Sequence, residues 1–107
     1  MELILKGVGV CTGSVKGKAK IITDLTKVPE IEEGTILIAL FFTPLMSIAI
    51  SKAAAVLTDF GGITSHIAVV AREFNIPCIV GLNEITTKVK DGQMLHIDGE
   101  TGEIYGI

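Results

Sequence analysis

The chain has 107 residues, nine basic and 12 acidic side chains, and a net charge of −3. That length holds one domain with one hydrophobic core, and has no room for a nucleotide fold beside a separate substrate domain. A mild negative charge with a single arginine excludes the basic stripe on which nucleic-acid affinity depends, and a 49% hydrophobic content excludes disorder.

Isoleucine, valine and leucine dominate the apolar residues, and 12 glycines punctuate them. This composition favours strands joined by tight turns, with short helices packed on them. Lys6 and the early glycines interrupt the apolar stretch that a signal peptide needs, so a cytoplasmic chain is expected. Residues 3–10 and 15–23 are predicted as two strands around a turn at Gly13 and Ser14. In the second, Lys16, Lys18 and Lys20 alternate with Val15, Gly17, Ala19 and Ile21, the pattern of a sheet with one wet face. Glu32-Glu33-Gly34 is a turn, followed by a buried strand over residues 35–40.

Residues 35–51 are uncharged and strongly apolar, but at 17 residues the run is too short to span a bilayer, and Pro44 divides it. No membrane association is expected. Thr43-Pro44 starts a helix, since threonine can cap and proline at the first helical position lacks only an N–H that the helix leaves unused. Leu45, Ile48, Ala49 and Lys52 follow at helical spacing, with Met46 and Ile50 making the helix apolar on more than one side. Phe41, Phe42 and Met46 are read as core, with a docking patch as the alternative. Another buried strand covers residues 54–58.

A second helix is expected from Thr64 or Ser65 to about Asn75, stopped by Pro77, with Ile67, Val70, Ala71 and Phe74 as its core face. Residues 78–80, 93–97 and 103–107 complete the strands, with turns at Asp91-Gly92 and Asp98-Gly99. Strand–helix–strand–helix–strand in the middle implies parallel crossovers, flanked by antiparallel strands. Cys11 and Cys78 are distant in sequence and form no C-x-x-C, which suggests two reduced thiols.

The chemistry-bearing segment is Thr58-Asp59-Phe60-Gly61-Gly62-Ile63-Thr64-Ser65-His66. A strand end leads through a glycine pair and two hydroxyls to a histidine in a first helical turn. The glycines let a ligand or partner backbone approach closely. A helix start offers unpaired N–H groups and partial positive charge, which suits an anion. That field disfavours imidazolium, so a histidine there is expected to be neutral and nucleophilic at pH 7. At about 100° per residue His66 falls at the margin of the core face. Arg72 lies on the far side, about 9 Å along the axis, which makes it a partner or substrate contact or a salt-bridge former and not a clamp on His66.

By chemistry alone His66 is either a cap or surface residue or a nucleophile. A Ser65–His66 hydrolytic dyad fails because helical neighbours diverge by about 100°. A metal site would have to recruit His96 and Asp98 from a distant strand without ligand spacing, and no phosphate-loop motif is present.

Gly61-Gly62-Ile63-Thr64-Ser65-His66, the downstream Ala71-Arg72, Asn75-Ile76-Pro77 and Ile79-Val80-Gly81 closely resemble the active-site signature of the mobile domain of phosphoenolpyruvate-utilising enzymes. Residues 36–39, Thr43-Pro44, Thr58-Asp59, Lys90-Asp91-Gly92 and Ile97-Asp98-Gly99 follow the same family's order. The resemblance implies an α/β fold, a swivelling β/β/α phosphohistidine domain with a mixed sheet and short helices. It implies that His66 is the phosphorylated residue, with Gly61, Gly62, Thr64, Ser65 and Thr43 matching the motif positions that orient the ring or phosphate. It further implies partners, a nucleotide-binding and a phosphoenolpyruvate- or pyruvate-binding domain or chain, between which the phosphoryl group is carried. The chain itself is then an incomplete active site with no metal or cofactor of its own, Mg²⁺ being expected on the partner domains. A regulatory docking module that is never phosphorylated is the alternative, and a self-contained hydrolase a more distant one.

Overall fold

Isoleucine, leucine and valine alternate along three adjacent strands, and the two sides of that alternation fill two separate cores. The computed structural model describes residues 2–24, 26, 30–61 and 66–107. In chain order its elements are β1 (Glu2–Lys6), β2 (Val8–Cys11), β3 (Ser14–Ile21), β4 (Thr35–Ala39), a single 3₁₀ turn (Pro44–Met46), α1 (Ser47–Ile50), β5 (Ala53–Thr58), α2 (His66–Phe74), β6 (Cys78–Val80), α3 (Ile85–Lys88), β7 (Met94–Asp98) and β8 (Glu103–Gly106).

The described strands form one mixed sheet in the order β1-β8-β7-β3-β4-β5-β6-β2. Strands β4, β5 and β6 are parallel. The long β3 joins the two halves: Ser14 to Lys18 pair antiparallel with β7, and Ala19 to Ile21 pair parallel with β4. On one face of the parallel strands Ile36, Ile38, Ala55, Leu57 and Ile79 meet Leu95, Ile97 and Ile104 of the antiparallel half. On the other, Leu37, Ala39, Val56, Cys78 and Val80 meet Met46, Ile50, Ile67, Val70 and Ala71 of the helical layer. Burial on both faces explains why these strands read as continuous apolar runs, and it makes the architecture β/β/α.

The strand expected over residues 3–10 is not continuous. Gly7 splits that segment into β1 and β2, which lie at opposite edges of the sheet, β1 against β8 and β2 against β6. The sheet therefore bends until its edges meet at Gly7. There the Gly7 N–H donates to the Gly102 carbonyl at 2.8 Å. A Cβ on Gly7 would lie 2.6 Å from the Val80 carbonyl oxygen, and one on Gly102 would run into the Gly7 carbonyl.

The first helix also departs from expectation. Leu45 and Ile48 are exposed, whereas Met46, Ala49 and Ile50 are buried. The 3₁₀ turn after Pro44 has about three residues per turn, which rotates the apolar face out of α-helical phase. On α2 the buried residues are Ile67, Ala68, Val70 and Ala71, whereas Phe74 is exposed. The helix ends there: Asn75 adopts φ 60°, its N–H donates to the Arg72 carbonyl, and the Ile76 N–H donates to the Ala71 carbonyl. This is a Schellman termination. The start expected at Thr64 or Ser65 lies outside the described residues. Among the described residues, no helix is long and apolar enough to cross a membrane.

Sheet closure makes a prediction. Gly34 and Gly102 both have positive φ, but a Cβ on Gly34 would meet open space. Gly34→Ala should cost about 1–2 kcal/mol of backbone strain. Gly102→Ala should cost that plus about 1–3 kcal/mol for the displaced backbone, a difference that urea unfolding resolves.

Candidate functional site

Because β4, β5 and β6 run parallel, their carboxyl ends share one edge, and the segments leaving them converge there. The backbone ties these segments together. The Phe60 N–H donates to the Leu40 carbonyl at 2.8 Å, the Asp59 N–H to the Ala39 carbonyl at 3.2 Å, and the Asn83 N–H to the Asp59 carbonyl at 3.1 Å. A ligand crevice at the carboxyl ends of parallel strands is a general property of such sheets.

Asp59 anchors this edge. It is fully buried, and its carboxylate accepts from the Ile85 N–H at 2.5 Å, the Thr86 hydroxyl at 2.6 Å and the Thr86 N–H at 3.3 Å. It thus caps the start of α3 from the residue just after β5, 26 positions earlier, while Glu84, at the cap position itself, makes no such side-chain bond. Three donors offset the desolvation of the buried carboxylate. The result fixes the segment Asp59-Phe60-Gly61 through which the chain leaves β5. Gly61 is exposed with φ +131°.

His66 is exposed on α2, whose opposite face is locked into the helical-side core by Ile67, Val70 and Ala71. The Phe42 ring lies beside it, with centroids 5.4 Å apart and planes inclined at 41°. Phe42 itself is half-buried against the same core, so it forms a rigid wall on one side of the imidazole. Neither reading of the Phe41, Phe42 and Met46 group fits all three: Met46 is buried, Phe42 is half-buried against His66, and Phe41 is exposed.

Thr43 follows directly in extended conformation, with φ −117° and ψ 157°. Its carbonyl accepts the Met46 N–H at 3.0 Å, and its N–H faces the Met46 sulfur at 3.5 Å. Phe42 and Thr43 are therefore held by a local turn that also buries Met46. Gly62, Thr64 and Ser65 lie outside the described residues. The Arg72 Nε donates to the Val10 carbonyl of β2 at 3.2 Å. The second histidine, His96, belongs to the antiparallel half, with Nε2 2.6 Å from the Ser14 hydroxyl. Among the described residues no group of three or more His, Cys, Asp or Glu side chains is placed to hold a metal ion.

Sequence reasoning missed Asp59 as an anchor and Phe42 as the neighbour of His66. The signals were present: an acid directly after a buried, largely apolar strand, and an aromatic directly before Thr43-Pro44.

Replacing Asp59 by Ala leaves buried donors unpaired and should destabilise the fold by about 2–4 kcal/mol in urea unfolding, with Asp59→Asn milder because it keeps an acceptor. Phe42→Leu keeps apolar volume but removes the ring. The His66 ring-proton resonances should then move, while those of His96 stay within ordinary scatter.

Comparison of the sequence with known proteins identifies one family. Residues 31–102 match the family model of the PEP-utilising enzyme, mobile domain. Phosphoenolpyruvate synthase of Pyrococcus furiosus is 43% identical over 104 residues, covering 97% of this chain and 13% of that enzyme. The solution structure of an Enzyme I protein superimposes with a TM-score of 0.63 at 35% identity, over 72% of this chain and 32% of that one. Aconitase X of Thermococcus kodakaraensis superimposes with a TM-score of 0.72 over 96% of this chain and 97% of that one, but at 18% identity it shares the fold alone.

Proposed function

We propose, on the premise that this chain belongs to the family of PEP-utilising enzyme mobile domains, that it is a phosphoryl carrier whose carrying residue is His66. The observation that supports this reading most is the setting of that side chain. It is exposed at the beginning of the described part of α2, on a helix locked into the core, with Phe42 against one side of its ring. A nucleophile that must reach a donor on another body needs this combination of an open ring and an immobile base.

The step is an in-line displacement at phosphorus. The lone pair of a neutral imidazole nitrogen forms the N–P bond as the donor's P–O bond breaks, and the electron pair leaves with the donor oxygen. The acceptor reverses this: its nucleophile attacks phosphorus and the N–P bond breaks. The positive end of α2 favours the charge on the carried phosphoryl group. Phe42 restricts the ring's orientation, so less rotational freedom is lost on reaching the attack geometry. Gly61, Gly62, Thr64, Ser65 and Thr43 are assigned to ring or phosphate orientation from the family motif.

The chain spans 13% of the length of the phosphoenolpyruvate synthase that it matches. The rest of the chemistry is accordingly assigned to partner domains or chains, one binding a nucleotide or an acceptor and one binding phosphoenolpyruvate or pyruvate. In this reading the domain swings between them in the cytoplasm. Mg²⁺ is assigned to the partners from the family resemblance.

The test combines the chain with a phosphoenolpyruvate synthase from which its own mobile domain has been deleted, Mg²⁺ and labelled phosphoenolpyruvate or ATP. Wild type should acquire label that is stable in alkali and lost in acid, since protonating the imidazole makes it a leaving group. His66→Ala should acquire less than about one hundredth as much, while His96→Ala is unaffected. Equal acid-labile labelling of His66→Ala would overturn the assignment. Partner activity that requires the chain but not His66 would indicate a docking module instead.

A further inference from the structure

Cys11 and Cys78, 67 positions apart, are direct cross-strand partners in the antiparallel pairing of β2 with β6. An irregularity in β2 produces this match. Gly9 pairs with Ile79, so regular pairing would set Val10 opposite Cys78; the register shift between Gly9 and Cys11 sets Cys11 there instead. Both side chains lie on the helical side of the sheet. Cys78 is a fully buried member of that core, and Cys11 packs half-buried against it. The Cys11 thiol lies 3.9 Å from the Ala71 carbonyl oxygen of α2. Directly opposed antiparallel residues have Cα atoms about 4.5–5.5 Å apart, inside the roughly 4.4–6.8 Å range of disulfides.

We infer that Cys11 and Cys78 are a redox-active dithiol that closes to a reversible cross-strand disulfide beneath α2, with a small-molecule disulfide as oxidant. This stands apart from the carrier reading. Cys11, the more accessible thiol, meets the oxidant. It loses its proton to solvent, and its sulfur attacks one sulfur of the oxidant, expelling one small thiolate and leaving a mixed disulfide. The Cys78 sulfur then attacks the Cys11 sulfur. The second small thiolate leaves and takes up the Cys78 proton. The protein loses two hydrogens and the oxidant becomes two thiols.

Burial and the neighbouring Cys11 push the Cys78 thiol up to about 12, with Arg72 opposing. That suits Cys78 to the second step, in which the sulfur it attacks is already alongside, and makes it a poor target for direct oxidation.

The test exposes the fully reduced chain to glutathione disulfide without oxygen, then blocks free thiols with iodoacetamide and measures intact mass and peptide map. The expected result is a monomer lighter by two hydrogens, carrying no iodoacetamide, with one cross-linked peptide pair containing Cys11 and Cys78. Dithiothreitol should restore both thiols. Cys11→Ser, at the half-buried position, should block closure without disturbing the core. Three outcomes would each overturn the proposal: a stable glutathione adduct at Cys11, chain-to-chain disulfides, or a folded chain that keeps both thiols.

Discussion

Burial of β4, β5 and β6 on both faces is the constraint from which the rest of the structure follows. Ile36, Leu37, Ile38, Val56, Leu57 and Ile79 are fully buried, alternately into the two cores. At about 1.5–3 kcal/mol for each such side chain, neither face can turn toward water without destabilising the chain beyond its expected reserve. The carboxyl ends of three strands are thereby held side by side. The segments that leave them need no core of their own, and Asp59 joins two of them with one carboxylate. His66 inherits its position from this arrangement.

Much of this was legible in the sequence, for reasons that differ by element. The three parallel strands were readable because double burial leaves them uncharged and mostly apolar, and Lys16, Lys18 and Lys20 marked the wet face of β3. The core face of α2 was readable because Ile67, Val70 and Ala71 recur at helical spacing. Phe74 failed because the Schellman termination at Asn75 ends the helix at that residue, leaving its ring in solvent. Leu45 and Ile48 failed because a 3₁₀ turn shifts the phase, which periodicity at a fixed angle cannot detect.

The separation of β1 from β2 was not legible. Gly7 looks like one glycine among several, and only the approach of Gly102 from the far end of the chain makes it a corner. Asp59 and α3 were hidden for the same reason, because the cap and the helix start are 26 positions apart. The pairing of Cys11 with Cys78 depends on an irregularity of register that composition does not record. At the site, His66 was found through its motif, whereas Phe42 required the fold to bring the segment after β4 beside α2.

The division between support and chemistry is sharp. Asp59 is occupied with α3, and the Arg72 Nε donates to the backbone of β2. His66 stands exposed on α2. Its claim to carry a phosphoryl group is tested most directly by nuclear magnetic resonance of a chain labelled with ¹⁵N at histidine and phosphorylated by the partner domains. The account predicts one-bond coupling between phosphorus and a ring nitrogen of His66, with His96 unmodified. Phosphorus bound without nitrogen coupling, or coupled to His96, would contradict it.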